Sequence, residues 1–223
     1  MGMVHGPNMV TDGLVFLMDA GNVQSYPGSG TAWYDAVGSN DGAITGATYS
    51  SNNGGYFTFD GTDDYVDFGN TNNQTTNDFS ISLWFKTSAT AGCLIAKGGV
   101  SGQSKSGYKI DMNAGNIGIY HVDQENDVFS TSESGYNNGN WHHIVNTNDR
   151  DGNALVYFDG ALKDTQAISS MSSLNNSYNL FIGKQDNGAF FNGNINIVKI
   201  YNRGLTAAEV LQNYNAHKSR FGL

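Results

Sequence analysis

Apolar side chains recur at every second position in three successive stretches of this chain: Phe57 and Phe59, then Val66 and Phe68, then Phe79, Ile81, Leu83 and Phe85. A period of two belongs to a β-strand with one face turned to an apolar interior. The first two stretches form the segment GGYFTFDGTDDYVDFG, residues 54–69, which reads as strand, tight turn, strand. Gly61 suits the turn, because a residue without Cβ takes positive φ freely. Asp60, Asp63 and Asp64 occupy the same turn. The tip of this hairpin therefore gathers several carboxylate oxygens.

Short apolar runs continue along the chain between polar, glycine-rich segments. Leu14 to Met18 is uninterrupted and predicts a strand buried on both faces. Residues 93–96, 108–112, 117–122, 141–145, 154–158, 180–183 and 195–201 predict further strands, with turns at Asn113–Asn116 and Asp159–Gly160. One helix is predicted. Thr206-Ala207-Ala208-Glu209 is a capping box, in which hydroxyl and carboxylate satisfy two free backbone N–H groups. Val210, Leu211 and Tyr214 give this helix an apolar stripe for docking. Twenty-nine glycines and two prolines in 223 residues suit many tight turns. The expected fold is all-β: a two-sheet antiparallel jelly-roll sandwich with a short C-terminal helix. No repeat or linker divides the chain, so residues 1–223 read as a single domain.

The formal net charge is −9, and the lysines are scattered singly. A nucleic-acid partner needs a basic stripe, so none is expected. The run at Leu14 is far shorter than the roughly 20 residues that cross a bilayer, so no membrane insertion is expected. Residues 1–10 lack a basic segment followed by an apolar one, and no secretory signal is read there. Cys93 is the only cysteine, which excludes an intrachain disulfide.

Bond-breaking chemistry finds little support. Glycoside hydrolysis needs two carboxylates about 5–9 Å apart across a cleft, and no strand carries an ExDxxE pattern. Trp141-His142-His143 places two imidazoles side by side, but neighbours on a strand point to opposite faces and cannot easily share a zinc ion.

FTFDGTDDYVDFG, FSISLWFKTS, NWHHIVNT, VYFDGAL and FNGNINIVKIYNRGLTAAEV follow one another in that order. Together they resemble the LamG-like jelly-roll modules of the concanavalin A-like lectin/glucanase superfamily, over a core from about Asp12 to Tyr214. The chain's opening and ending also resemble domains in structural proteins of marine tailed phages. The resemblance implies a concave-sheet sandwich that binds carbohydrate or protein and commonly holds Ca²⁺ near its loops. It places a second metal-ligand position near Asn196, where an acid is usual and this chain has an amide. The metal candidates are thus Asp60, Asp63, Asp64 and Asn196, with Ca²⁺ as the cofactor, because hard oxygens are its ligands.

Sugars are gripped by aromatic faces and planar polar groups. Tyr108, Asp111, Tyr120, His121 and Tyr136 are the ligand candidates, with Trp33, Phe190, Asn113 and Gln124 in support. The expected function is a non-catalytic binding or structural module. Its partners would be a glycan or other virion proteins, its location the virion (head decoration, neck or tail fibre), and its assembly a homo-oligomer. A stand-alone Ca²⁺-assisted lectin is the alternative, and a divergent glycan hydrolase the third reading.

Overall fold

The computed structural model describes residues 7–100, 105–123, 128–186 and 188–223. In chain order the strands are β1 (Leu14–Asp19), β2 (Ala32–Trp33), β3 (Gly42–Thr45), β4 (Thr48–Ser50), β5 (Tyr56–Asp60), β6 (Tyr65–Asp67), β7 (Phe79–Lys86) and β8 (Gly92–Val100). They continue as β9 (Lys105–Asn113), β10 (Asn116–Val122), β11 (Val128–Ser134), β12 (Trp141–Asn148), β13 (Asn153–Phe158), β14 (Ala161–Ala167), β15 (Leu180–Ile182) and β16 (Asn192–Tyr201). The helix α1 (Ala207–His217) follows, then a 3₁₀ turn, Lys218–Phe221.

Two antiparallel sheets result. Sheet A runs β14-β13-β12-β7-β16-β5-β4, with β1 also paired to β16; sheet B runs β11-β10-β9-β8-β15-β6-β3-β2. The alternating residues do what their period requires. Phe57, Phe59, Phe79, Ile81, Leu83 and Phe85 from sheet A meet Val66, Ile110, Ile117, Ile119, Leu180 and Ile182 from sheet B in one core. The hairpin between β13 and β14 turns at Asp159 (φ 51) and Gly160 (φ 81), the left-handed pair that suits a two-residue connection.

The central strands of sheet A are buried on both faces over much of their length, because part of the outer face is apolar too. Trp84 is fully buried there, stacked against His143 at 4.9 Å, Tyr214 at 5.5 Å and Phe221 at 4.4 Å. The helix α1 and the 3₁₀ turn supply this cover. Thr206 and Glu209 form the capping box at its start. The docking stripe differs from the sequence reading: Val210, Asn213 and His217 are the buried residues, whereas Leu211 points to solvent.

The covered face also traps polar groups. Lys199 is fully buried, and its Nζ has no hydrogen-bond partner among the described residues. His143 shares a hydrogen bond with Ser82 at 2.8 Å, and His217 Nδ1 donates to the Asn213 carbonyl at 3.0 Å. Arg220 donates to Asp19 Oδ1 at 2.7 Å and to Asn196 Oδ1 at 3.0 Å.

Candidate functional site

Among the described residues no helix covers the outer face of sheet B, and its strand parity decides what stands there. On β9, Tyr108, Ile110 and Met112 face the core, so Lys109 and Asp111 face outward. On β10, Ile117 and Ile119 face the core and Tyr120 faces outward. The registers align Tyr120 with Lys109, Lys109 with Ala96, Ala96 with Phe181, and Phe181 with Asp67. One outward row thus crosses five strands as aromatic, cation, small residue, aromatic, acid.

Lys109 organises one end of this row. Its Nζ donates to Asp111 Oδ2 at 2.6 Å and to Gln185 Oε1 at 3.1 Å, and lies 4.4 Å from the Tyr120 ring centroid. Asp111 Oδ1 is buried and has no hydrogen-bond partner among the described residues. Burial raises the Asp111 pKa, and the Lys109 ammonium pulls it back down. A Cβ at position 118 would lie 2.6 Å from the Tyr120 ring, so Gly118 provides the bed for that ring.

The other end is aromatic. Lys184 Nζ sits 3.6 Å from the Tyr65 centroid and 4.2 Å from that of Phe181. Tyr65 packs edge-on against Phe181 at 5.9 Å and lies 6.5 Å from Phe190. Cation–π contacts of this kind fix ring orientation.

The hairpin tip of β5 and β6 adjoins Tyr65. Carboxylate oxygens of Asp60, Asp63 and Asp64 lie within 4.8 Å of one another. Asp64 is buried, and its Oδ2 accepts the Asp60 N–H at 2.9 Å; Asp60 Oδ1 accepts the Thr62 N–H at 2.7 Å. A Cβ at Gly46 would fall 1.9 Å from Asp64 Oδ1, so only glycine leaves room for that carboxylate. Burial and the neighbouring carboxylates of Asp60 and Asp63 raise the Asp64 pKa against the backbone N–H bond that lowers it. This hard-oxygen set is of the kind that Ca²⁺ takes as ligands.

Four predicted residues lie elsewhere. Tyr108 is a core residue whose hydroxyl donates to the Asn72 carbonyl at 2.9 Å. His121 is fully buried beside Phe79, and its Nε2 donates to Asn146 Oδ1 at 3.0 Å. Tyr136 stacks on Phe158 at 3.9 Å, away from Asp111. Asn196 belongs to the face beneath α1, where its amide donates to the Gly55 carbonyl and accepts from Arg220. It is Asn192 that pairs with Asp60, and four strand residues, roughly 13 Å, separate it from Asn196. Trp33 is core, Asn113 is exposed, and Gln124 lies outside the described residues. The sequence reading missed Lys109 and Gln185. The alternation around Ile110 points to Lys109, whereas Gln185 comes from a loop with no periodic signal. His142 and His143 diverge as expected: His142 Nδ1 donates to Asp159 at 2.8 Å, and His143 stacks on Trp84.

Solved structures share this architecture. The binding domain of Botulinum neurotoxin serotype G superposes with a TM-score of 0.70 at 19% identity, over 90% of this chain and 50% of that one. The binding domain of Paraclostridial Mosquitocidal Protein 1 gives 0.72 at 17%, over 92% and 52%. The ligand binding domain of Botulinum neurotoxin serotype D in complex with N-acetylneuraminic acid gives 0.69 at 18%, over 91% and 50%. The chain spans about half the length of each, and at these identities the likeness establishes the fold. No curated protein matches the sequence. The Laminin_G_3 family, described as the concanavalin A-like lectin/glucanases superfamily, matches residues 60–211, and the chain belongs to that superfamily.

Proposed function

We propose that this domain is a non-catalytic glycan-binding module that works through the outer face of sheet B. The observation that carries the reading is the row Tyr120–Lys109–Ala96–Phe181 with Asp111 and Gln185 beside it. Two aromatic flanks with a charged, amide-bearing centre match what a sugar offers, an apolar ring face rimmed by hydroxyls. The acids of this face are engaged, Asp111 Oδ2 by the Lys109 ammonium at 2.6 Å. Asp67 is held by the Asn179 amide and the Gly69 N–H, and burial pushes the Cys93 thiol up.

A glycan array, followed by titration of its best hit, tests this. Tyr120→Ala is expected to weaken binding at least tenfold, about 1.4 kcal/mol, with folding unchanged. Equal affinity in the variant, or no glycan retained, would overturn the reading.

Calcium at Asp60, Asp63 and Asp64 is part of the same proposal, since the tip abuts Tyr65. At 100 times its Kd, Ca²⁺ would add about 2.7 kcal/mol of stability, read as a higher melting temperature that chelator reverses. Asp64→Asn should abolish that response. It should also stabilise the calcium-free protein at neutral pH: a carboxyl whose folded pKa is raised is favourable only while protonated, and loses stability as pH rises through that pKa. A calcium shift that survives Asp64→Asn would move the metal elsewhere.

The resemblance of the two chain ends supports a further placement: the module is carried on a phage particle, as a homo-oligomer. Mass spectrometry of purified particles and light scattering of the isolated protein are the measurements. Absence from particles would leave the stand-alone lectin.

A further inference from the structure

The opposite side of the molecule carries a second cross-strand row. The registers align Thr58 with Asn194, Asn194 with Lys86, and Lys86 with Trp141, one residue from each of β5, β16, β7 and β12. Thr58, Asn194 and Lys86 lie on the outer face of sheet A beyond the edge of the helical cover, and Trp141, packed against Phe221 at 4.6 Å, lies at that edge. Two cavities open along the row, of about 360 and 260 Å³, and Lys86 lines both. The larger is walled by Trp141, Tyr214 and Phe221 and the smaller by Thr87, Ser88 and Asn192. Three strand spacings make the row about 14 Å long, the reach of a short oligosaccharide.

The groove offers donors without a free side-chain carboxylate to match them. Lys86 makes no ion pair or hydrogen bond among the described side chains, and it is only half-buried. Thr58 donates to Asn194 Oδ1 at 2.9 Å, which leaves the Asn194 amide nitrogen as a donor toward the groove. The one carboxylate side chain in the lining, Asp159, directs one oxygen to His142 Nδ1 and the other to the His143 N–H, each at 2.8 Å. An ammonium with no ion pair of its own, set among amide and hydroxyl donors in a chain of net charge −9, selects a ligand that brings its own negative charge.

We propose that this groove is a saccharide site for an acidic oligosaccharide, with a carboxylate or sulfate on Lys86, its hydroxyls on Asn194 and Asn140, and a ring against the Trp141 and Tyr214 wall. It is separate from the sheet B face and does not depend on that reading.

Three oligosaccharides of equal length test it by calorimetry: a uronate oligomer, a sulfated oligomer and a neutral glucan. The wild type is expected to bind at least one acidic oligomer and not the neutral one; which acidic oligomer binds names the group on Lys86. Lys86→Gln should weaken that binding by 10-fold or more, and Asn194→Ala by several-fold, whereas Tyr120→Ala should leave it unchanged. Lys86 is half-buried at a strand end, so an unchanged melting temperature verifies each variant's fold. Equal binding of neutral and acidic oligomers, no binding of either acidic one, or full affinity in Lys86→Gln would each overturn the proposal. Loss on Tyr120→Ala with Lys86→Gln unaffected would assign the binding to sheet B instead.

Discussion

Acidification is expected to unfold this protein between about pH 6 and pH 4. Three imidazoles are buried neutral. Burial, helped by the charge of Arg150, lowers the His121 pKa to about 3. Burial and the nearby Lys199 lower that of His217 to about 3. His143, fully buried between Ser82 and Trp84, is held well below the ordinary value by burial, Lys199 and His217. In the unfolded chain each takes a proton near pH 6.5. Between pH 6.5 and about 3 the unfolded state therefore binds more protons, and stability falls as pH falls. Over three pH units His121 and His217 each remove about 4 kcal/mol, and His143 acts in the same direction. Together they match a total stability of about 5–15 kcal/mol. The raised carboxyls of Asp64 and Asp111 push the other way, but two carboxyls do not offset three imidazoles. Tryptophan fluorescence against pH is the measurement, since Trp84 lies in the face that His143 and His217 share. His217→Gln should move the midpoint toward lower pH. A fully folded protein at pH 4 would contradict the argument.

Lys199→Met is the second large expectation, and its sign is stabilising. Burial lowers the Lys199 pKa to about 7, although Asp19 pulls it upward. The unfolded lysine keeps its proton to about pH 10.4. Stability from this group is therefore complete above that pH and is lost as pH falls toward 7. A buried charge replaced by an apolar side chain of similar length typically gains about 1–4 kcal/mol. At neutral pH the melting temperature should rise about 2–4 °C for each kcal/mol gained. The advantage should shrink as the buffer approaches pH 10. Lys199 also holds the His143 and His217 pKa values down, so the variant should resist acid better as well. An unchanged or lower melting temperature at pH 7 would show that the ammonium is stabilised where it lies.

These buried groups mark the boundary of what periodicity reveals. The run Phe79 to Phe85 reads as a strand because one face is apolar, and the structure has it so. The same run hides a second buried face: Ser80, Ser82 and Trp84 lie under cover that residues 205–221 supply. Lys199 and His143 lie under the same cover. Parity alone could have divided the ligand candidates. Tyr108 and Asp111 are three residues apart on one strand, and Tyr120 and His121 are adjacent; neither pair can share a face. Asp111 and Tyr120 do share a face and both touch Lys109, because the turn after Asn113 sets their strands in register. Gln185 reaches Lys109 from a loop, and Lys86 meets Asn194 and Trp141 only through pairings of strands distant in sequence. Such neighbours come from topology, which a local pattern does not encode.

The pairing of β1 with β16 sets the order in which the molecule can be completed. Leu14 to Asp19 finds its strand partner only at Ile197 to Tyr201. As the chain leaves the ribosome, the apolar run Leu14–Met18 must wait for almost the whole polypeptide before its edge is closed. Contacts so far apart in sequence slow folding and prolong exposure of an adhesive strand. A nascent chain stalled short of residue 197 would be the form most prone to stick to its neighbours.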